Sequence, residues 1–273
     1  MTSTRASGQP ITVLVHGSSG KMGREVVNAV SAAPDLRMVG AVDRFTDGAP
    51  EMELPNRKGK VAQGTDIGAL LDKTKPRVMI DFSLADASMN AARAALGRGV
   101  CVVVGTTGHS DANLKEIDAL ASEHGVGAVV APNFALSTVL LIHLAKEVAR
   151  FFDYVDVIEE HHEQKIDSPS GTALSIAKAL VEGKGAAFQH PNPEKEPLPG
   201  ARGGEYQGIS VHSIRMPGKL AHHEILLGAP GQTMSLRSDT ITRECYMPGV
   251  LLAVREVVKH KGLVFGLEKL VNL

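Results

Sequence analysis

A chain of 273 residues is longer than one average domain. At 43% apolar and 22% charged, it has the composition of a globular protein that buries a sizeable core without a disulfide or metal staple. Its 29 Lys and Arg against 30 Asp and Glu leave a net charge of −1 with no long like-charge block, and aromatics make up only 4%, which argues against nucleic acid or an anionic membrane as a partner.

In chain order, residues 1–10 are polar and carry no hydrophobic leader-like run, and no later apolar run approaches the length of a membrane span. Residues 11–16, Ile-Thr-Val-Leu-Val-His, read as a strand buried on both faces. The loop from Gly17 to Gly23 follows, and the spacing predicts a helix over 21–32 and a strand over 37–42 ending in Asp43 and Arg44. The alternation continues with helices over 66–73, 85–97 and 111–124 and strands over 78–82, 101–104 and 127–130. Such alternation predicts a doubly wound parallel sheet with right-handed crossovers. Cys101 sits in one of its apolar runs and Cys245 is remote in sequence, so free thiols in a reducing compartment, the cytoplasm, are expected.

Beyond Pro132, Asn133 and Phe134 the pattern changes. A helix is predicted over 136–152, a strand over 154–159 and a helix over 172–181, then a Gly- and Pro-rich loop over 183–204 of the kind that is usually functional or mobile. Long strands over 206–215, 219–227 and 233–239 suit an open antiparallel or mixed sheet, and an amphipathic helix over 250–259 closes the chain. The expected division is a domain of residues 1–134 completed by 248–273, and a second, α+β domain of residues 135–247.

Gly17, Gly20 and Gly23 lie where a strand turns into a helix, and Asp43 follows at the spacing of an acid that meets a ribose hydroxyl. Positions without Cβ admit a pyrophosphate, and the helix N-terminus attracts its charge. Arg44 is placed for a 2′-phosphate. Gly105, Thr106, Thr107 and Gly108 close another strand on the same sheet edge, and Ala131, Pro132, Asn133 and Phe134 close the next.

The segment from Glu159 to Ala173 crowds His161, His162 and Lys165 before a helix start. Asp167 or Ser168 is expected to cap that helix with Pro169 in its first turn, leaving Ser170, Gly171 and Thr172 to offer N–H and hydroxyl groups to an anion such as a carboxylate. His161 and Lys165 are suited to proton transfer. The His161-His162-Glu163 and His222-His223-Glu224 triplets raise a metal reading, but neighbours on an extended strand point to opposite faces and neither triplet has helical zinc-ligand spacing, so no metal is expected.

The Gly17 loop, the Val-Gly105-Thr-Thr-Gly segment, Ala-Pro-Asn133-Phe and, most specifically, Glu-x-His161-His162-x-x-Lys165-x-Asp-x-Pro-Ser170-Gly171-Thr172-Ala resemble the 4-hydroxy-tetrahydrodipicolinate reductase family of lysine and diaminopimelate biosynthesis. The resemblance runs nearly end to end. It implies a Rossmann-type domain that binds NADPH or NADH, rejoined by the C-terminal helix, and a central domain with an open mixed sheet that takes a small dicarboxylate and assembles into a homotetramer. It makes His161 the acid/base and Lys165 the proton donor, with His162, Ser170, Gly171 and Thr172 on the substrate's carboxylates. The cofactor residues it implies are Gly17, Ser18, Ser19, Gly20, Lys21, Met22, Asp43, Arg44, Gly105, Thr106, Thr107, Ala131, Pro132, Asn133 and Phe134. Lys21 stands where the family often has Arg and Asp43 where Glu is frequent; Asp43 favours ribose hydroxyls and Arg44 the phosphate, so the choice between NADH and NADPH stays open. Two rivals share the Gly17 loop: another two-domain dehydrogenase acting on a sugar or semialdehyde, and a non-enzymatic NAD(P) sensor.

Overall fold

Parallel strands with apolar faces on both sides must be covered by helices, and the first of two units in the chain is built that way. The structure, a computed structural model, describes residues 9–46, 48–55 and 58–271. The polar N-terminal stretch therefore lies, through residue 8, outside the described residues. The two units are residues 1–134 with 246–273, and residues 135–245.

The first unit holds β1 (Ile11–His16), α1 (Lys21–Ala32), β2 (Leu36–Val42), β3 (Glu51–Glu53), β4 (Lys60–Gly64), α2 (Ile67–Thr74), β5 (Val78–Asp81), α3 (Ala85–Leu96), β6 (Cys101–Val104), α4 (Asp111–Glu123) and β7 (Gly127–Val130). They form one sheet in the order β13-β7-β6-β5-β1-β2-β4-β3, parallel except for the β3 edge. The outermost strand, β13 (Gly262–Phe265), comes from the end of the chain, after α7 (Met247–Val257). Strand order reverses at β1, flanked by β2 and β5, which is the switch point where open α/β sheets bind ligands. The edge strands β3 and β13, and β4 beside β3, are short, and none was expected from the sequence. The tail is tied to the unit by an ion pair from Arg255 Nε to Asp35 Oδ2 at 2.7 Å.

The second unit holds α5 (Leu136–Val148), β8 (Tyr154–His161), α6 (Gly171–Lys184), β9 (Gly204–Tyr206), β10 (Ile209–Arg215), β11 (Ala221–Ala229) and β12 (Gln232–Thr240). Its five-stranded mixed sheet has the order β12-β11-β8-β10-β9, with β8 and β10 parallel. Alternation along the strands sends Val155, Val157, Val211, Ile225 and Leu227 to one face, where they pack with Leu141, Ala145, Ile176 and Leu180 of the two helices.

Three details depart from the expectations. The strand predicted over 154–159 continues through His161, which is therefore held by sheet hydrogen bonding rather than carried on a loop. The stretch 206–215 is not one strand: a turn at Gln207 and Gly208, with Gly208 at φ +83°, folds β9 back on β10. The helix after the His-Lys segment begins at Gly171 and is capped by Ser170, not by Asp167 or Ser168, and Pro169 precedes the helix. Ser170 wins because its Oγ accepts the Ala173 N–H at 3.1 Å.

Candidate active site

In the first unit, register alone assembles a ligand edge. The last residues of five neighbouring strands are partners across the sheet: Val42 with His16, His16 with Asp81, Asp81 with Val104 and Val104 with Val130. The residues that follow, Asp43, Gly17, Phe82, Gly105 and Ala131, consequently line one edge.

Gly17 has φ +79°, and a Cβ on it would stand 2.5 Å from Phe82 O. A Cβ on Gly23 would stand 1.9 Å from Gly17 O, so only glycine lets α1 begin this close to β1. Ser18 is buried and Ser19 half-buried, while Gly20, the cap of α1, and Lys21 are exposed, with Met22 half-buried. No acidic residue sits in the first turn of α1, whose N–H groups and dipole are thus open to an anion. Asp43 accepts the Ser19 N–H at 2.8 Å and the Phe45 N–H at 3.0 Å, fixing the glycine loop against the end of β2. The Arg44 guanidinium lies 4.6 Å over the Phe45 ring.

A Cβ on Gly105 would stand 2.1 Å from the Phe82 ring, so any larger residue there requires that ring to move. Thr106 is buried and Thr107 exposed. Ala131 is buried, Pro132 exposed and Asn133 half-buried, and the buried Phe134 ring stands 5.7 Å from that of Phe82. These cradles, where a Cβ would intrude, fit a dinucleotide. Beneath them lies a network that sequence reasoning missed. Asp81, fully buried, accepts from Thr106 Oγ1 at 2.6 Å and Ser83 Oγ at 2.7 Å, and bonds His16 Nδ1 at 2.6 Å. Burial pushes the Asp81 carboxyl upward, but the His16 contact and the hydroxyl donors outweigh it and hold its pKa below the ordinary aspartate value. Its signal in the sequence was a carboxylate at the end of an otherwise apolar strand.

In the second unit, His161 ends β8 beside Arg215 of β10 and Ala221 of β11. Glu159, two residues earlier, shares its face and pairs with His223 of β11. His161 Nδ1 bonds Glu159 Oε2, and Arg215 clamps the same carboxylate through Nη1 at 2.9 Å and Nη2 at 2.7 Å. Burial raises the Glu159 pKa, but hydrogen bonds from His161 and Arg215 hold it far below the usual carboxylate range, so it is ionised. The His223 ring meets that of His161 edge-on at 5.5 Å. Burial first, and His161 second, push the His223 pKa down to about 4.

Lys165 Nζ donates to Asp167 Oδ1 at 2.6 Å, and its N–H returns to His162 O at 3.1 Å, closing a turn after β8. His162 and Thr172 are half-buried and Gly171 is exposed with open space where a Cβ would stand, so the first turn of α6 is accessible. Ser170 is buried, its N–H donating to Glu159 Oε1 at 3.2 Å. All six predicted substrate-side residues thus gather at one end of the sheet. Glu159 and Arg215 were not singled out, and His223 was weighed only in a metal triplet, although Glu159 lies in phase with the inward Val155 and Val157, where a charge needs partners. His222 is bonded to Asp239 Oδ1 at 2.6 Å on the other face. Among the described residues no group of three or more His, Cys, Asp and Glu is placed to hold a metal ion, and no helix is long and apolar enough to cross a membrane.

The family models described as "Dihydrodipicolinate reductase, N-terminus" and "Dihydrodipicolinate reductase, C-terminus" match residues 11–134 and 137–271. The 4-hydroxy-tetrahydrodipicolinate reductase of Dehalococcoides mccartyi is 49% identical over 97% of this chain and 99% of that protein. That of Bacillus subtilis is 42% identical over 97% of this chain and 100% of that protein. A dipicolinate-bound dihydrodipicolinate reductase from Paenisporosarcina sp. TG-14 superposes with a TM-score of 0.86 at 36% identity, covering 96% of this chain and 99% of that one. An amine dehydrogenase from Mycobacterium smegmatis, at 17% identity and TM-score 0.64 over 93% of this chain and 94% of that one, shares the fold alone. Likeness that spans both units at this identity leaves one assignment: the chain belongs to the dihydrodipicolinate reductase family.

Proposed function

We infer that this chain reduces 4-hydroxy-tetrahydrodipicolinate to tetrahydrodipicolinate with NADPH or NADH, a step of lysine and diaminopimelate biosynthesis. The observation that carries the reading is the convergence of His161, His162, Lys165, Gly171 and Thr172 at one end of the second sheet, on a chain that is 49% identical to a relative of that name.

Gly17, Ser18, Ser19, Gly20, Lys21 and Met22 would hold the pyrophosphate, Asp43 and Arg44 the adenosine ribose, and Gly105, Thr106, Thr107, Ala131, Pro132, Asn133 and Phe134 the nicotinamide end. The bound cofactor supplies a hydride. The first-turn N–H groups of α6 at Gly171 and Thr172, with His162, would orient a substrate carboxylate, while Ser170 fixes where that turn starts. Lys165 Nζ would deliver the proton, and His161 Nε2, on the ring side away from Glu159, would act as the acid/base that supports it. No metal enters this reading, so chelators should leave activity intact.

The assembly we infer is a homotetramer in the cytoplasm. It is supported by the family resemblance and by the outer face of the second sheet, where Tyr154, Ile214 and Leu226 are exposed on neighbouring strands.

The test of function is loss of nicotinamide absorbance when substrate is generated in situ from pyruvate and aspartate semialdehyde by the preceding synthase. Oxidation above background is expected with at least one cofactor. None with either would refute the reductase reading.

A further inference from the structure

Glu159 carries more hydrogen bonds than its place in the reading above uses. Its side chain is fully buried on β8, two residues before His161 and on the same face. Oε2 meets His161 Nδ1 and accepts from Arg215 Nη1; Oε1 accepts from Arg215 Nη2 and from the Ser170 N–H at 3.2 Å. Arg215 Nη2 also donates to Asp167 O at 2.7 Å, in the loop that bears Lys165. One carboxylate and one guanidinium therefore touch the strand end that carries His161, the loop that carries Lys165 and the first turn of α6.

We propose that Glu159 and Arg215 act as a pair of positioning residues: Glu159 fixes His161 in the tautomer with its proton on Nδ1, leaving Nε2 for proton transfer, and Arg215 holds that imidazole in register with the Lys165 loop and the start of α6. The proposal deepens the assignment of His161 and Lys165 and rests on it. Its logic is donor counting. A guanidinium and a backbone N–H only donate, and an ionised carboxylate only accepts, so every group around Glu159 must be a donor, His161 Nδ1 included. The neutral ring then carries its lone pair on Nε2. His223, packed edge-on against His161 and without a charge at neutral pH, leaves that bond uncontested. A lysine at 215 would supply the charge but not the fork that spans both carboxylate oxygens.

Glu159→Gln turns the count into a test. The new amide nitrogen must donate; Arg215 and the Ser170 N–H cannot accept from it, His161 Nδ1 can by moving its proton to Nε2, and the Ser213 hydroxyl beside Glu159 can by rotating, so the variant is made and compared in a Ser213→Ala background. ¹⁵N NMR of histidine-labelled protein at alkaline pH, without cofactor or substrate, reads which nitrogen is protonated, and a His161→Gln sample identifies the resonance. The unmodified chain is expected to show Nδ1–H and Glu159→Gln to show Nε2–H. kcat should fall at least about tenfold in that variant while substrate KM moves less than about threefold, in line with other losses of groups that orient a reacting imidazole. Glu159→Asp, which keeps an acceptor-only group, should retain Nδ1–H and recover part of kcat. A proton on Nε2 in the unmodified chain, or an unchanged tautomer in Glu159→Gln, would overturn the proposal. The first of these readings stands even if Glu159→Gln does not fold. Full kcat in His161→Gln would instead overturn the role of His161 and leave the tautomer result intact, so the two failures are distinct.

Discussion

Lys165 is half-buried, and its ammonium is held by Asp167 at 2.6 Å. If it donates the proton in the transition state, Lys165→Ala should lose at least about 10²-fold in kcat, the ordinary worth of a positioned general acid. NAD(P)H affinity should stay near wild type, since the glycine loop belongs to the other unit. Lys165→Arg should rescue little, because guanidinium stays charged and is a poor proton donor. A change in KM alone would make Lys165 a carboxylate clamp. Arg44→Ala should weaken NADPH by roughly tenfold or more and spare NADH, since a charge-assisted contact contributes about 1.5–3 kcal/mol; equal losses in titrations with both cofactors would rule that contact out. At His223, the folded pKa of about 4 lies below the ordinary histidine value of 6.5, so between those values the unfolded chain binds a proton that the folded chain refuses. Stability conferred by the second unit should therefore fall as pH drops from 6.5 to 4 and level off below, by about 3 kcal/mol at most. Urea unfolding of His223→Gln across that range should show a flatter dependence than the unmodified chain.

Elements decide where such side chains can act. Because β1, β2, β5, β6 and β7 end in register, five loops of unrelated sequence arrive at one edge, and two of them are fixed there by glycines whose Cβ would strike backbone or ring atoms. The helix α6 does the corresponding work in the second unit. Gly171→Pro removes one of its first N–H groups and Thr172→Val a hydroxyl, so the double variant should weaken binding of pyridine-2,6-dicarboxylate, a planar likeness of the substrate, by about tenfold or more. Undiminished binding by calorimetry would place the anion site elsewhere. Much of this scale was legible in the sequence, since the parallel strands are apolar runs and the α1 start is marked by glycines. The cap of α6 was not. Asp167, Ser168 and Ser170 are all good cap residues; Ser170 Oγ takes the Ala173 N–H, while Arg215 binds Asp167 O and Glu159 binds the Ser170 N–H, contacts that exist only in the folded chain. The strand ending at His161 was read only to Glu159 because Glu160, His161 and the polar residues after them break the apolar alternation that marks a strand.

At the scale of the whole molecule, the outer face of the second sheet mixes the exposed Tyr154, Ile214 and Leu226 with an ion-pair lattice in which Arg237 reaches Glu224 at 2.8 Å, Asp239 at 3.0 Å and Glu160 at 3.4 Å. If that face is covered by a second copy, Leu226→Arg should lower the mass measured by sedimentation equilibrium while leaving the helix-covered core intact. An unchanged tetramer would put the interface on another surface, and a monomeric unmodified chain would remove the assembly altogether.

Taken by itself, the sequence determined the alternation of strands and helices, the glycine turn with Asp43, and the motif from His161 to Thr172. These are local or periodic signals: a chain segment carries its own hydrophobic period, and a βα turn its own glycines. The β13 return, the Arg255 to Asp35 tie, the Asp81 network and the Glu159 to Arg215 clamp were decided only by tertiary structure. Each joins residues distant along the chain, and a buried charge declares its partner only when folding has removed the water that would otherwise solvate it.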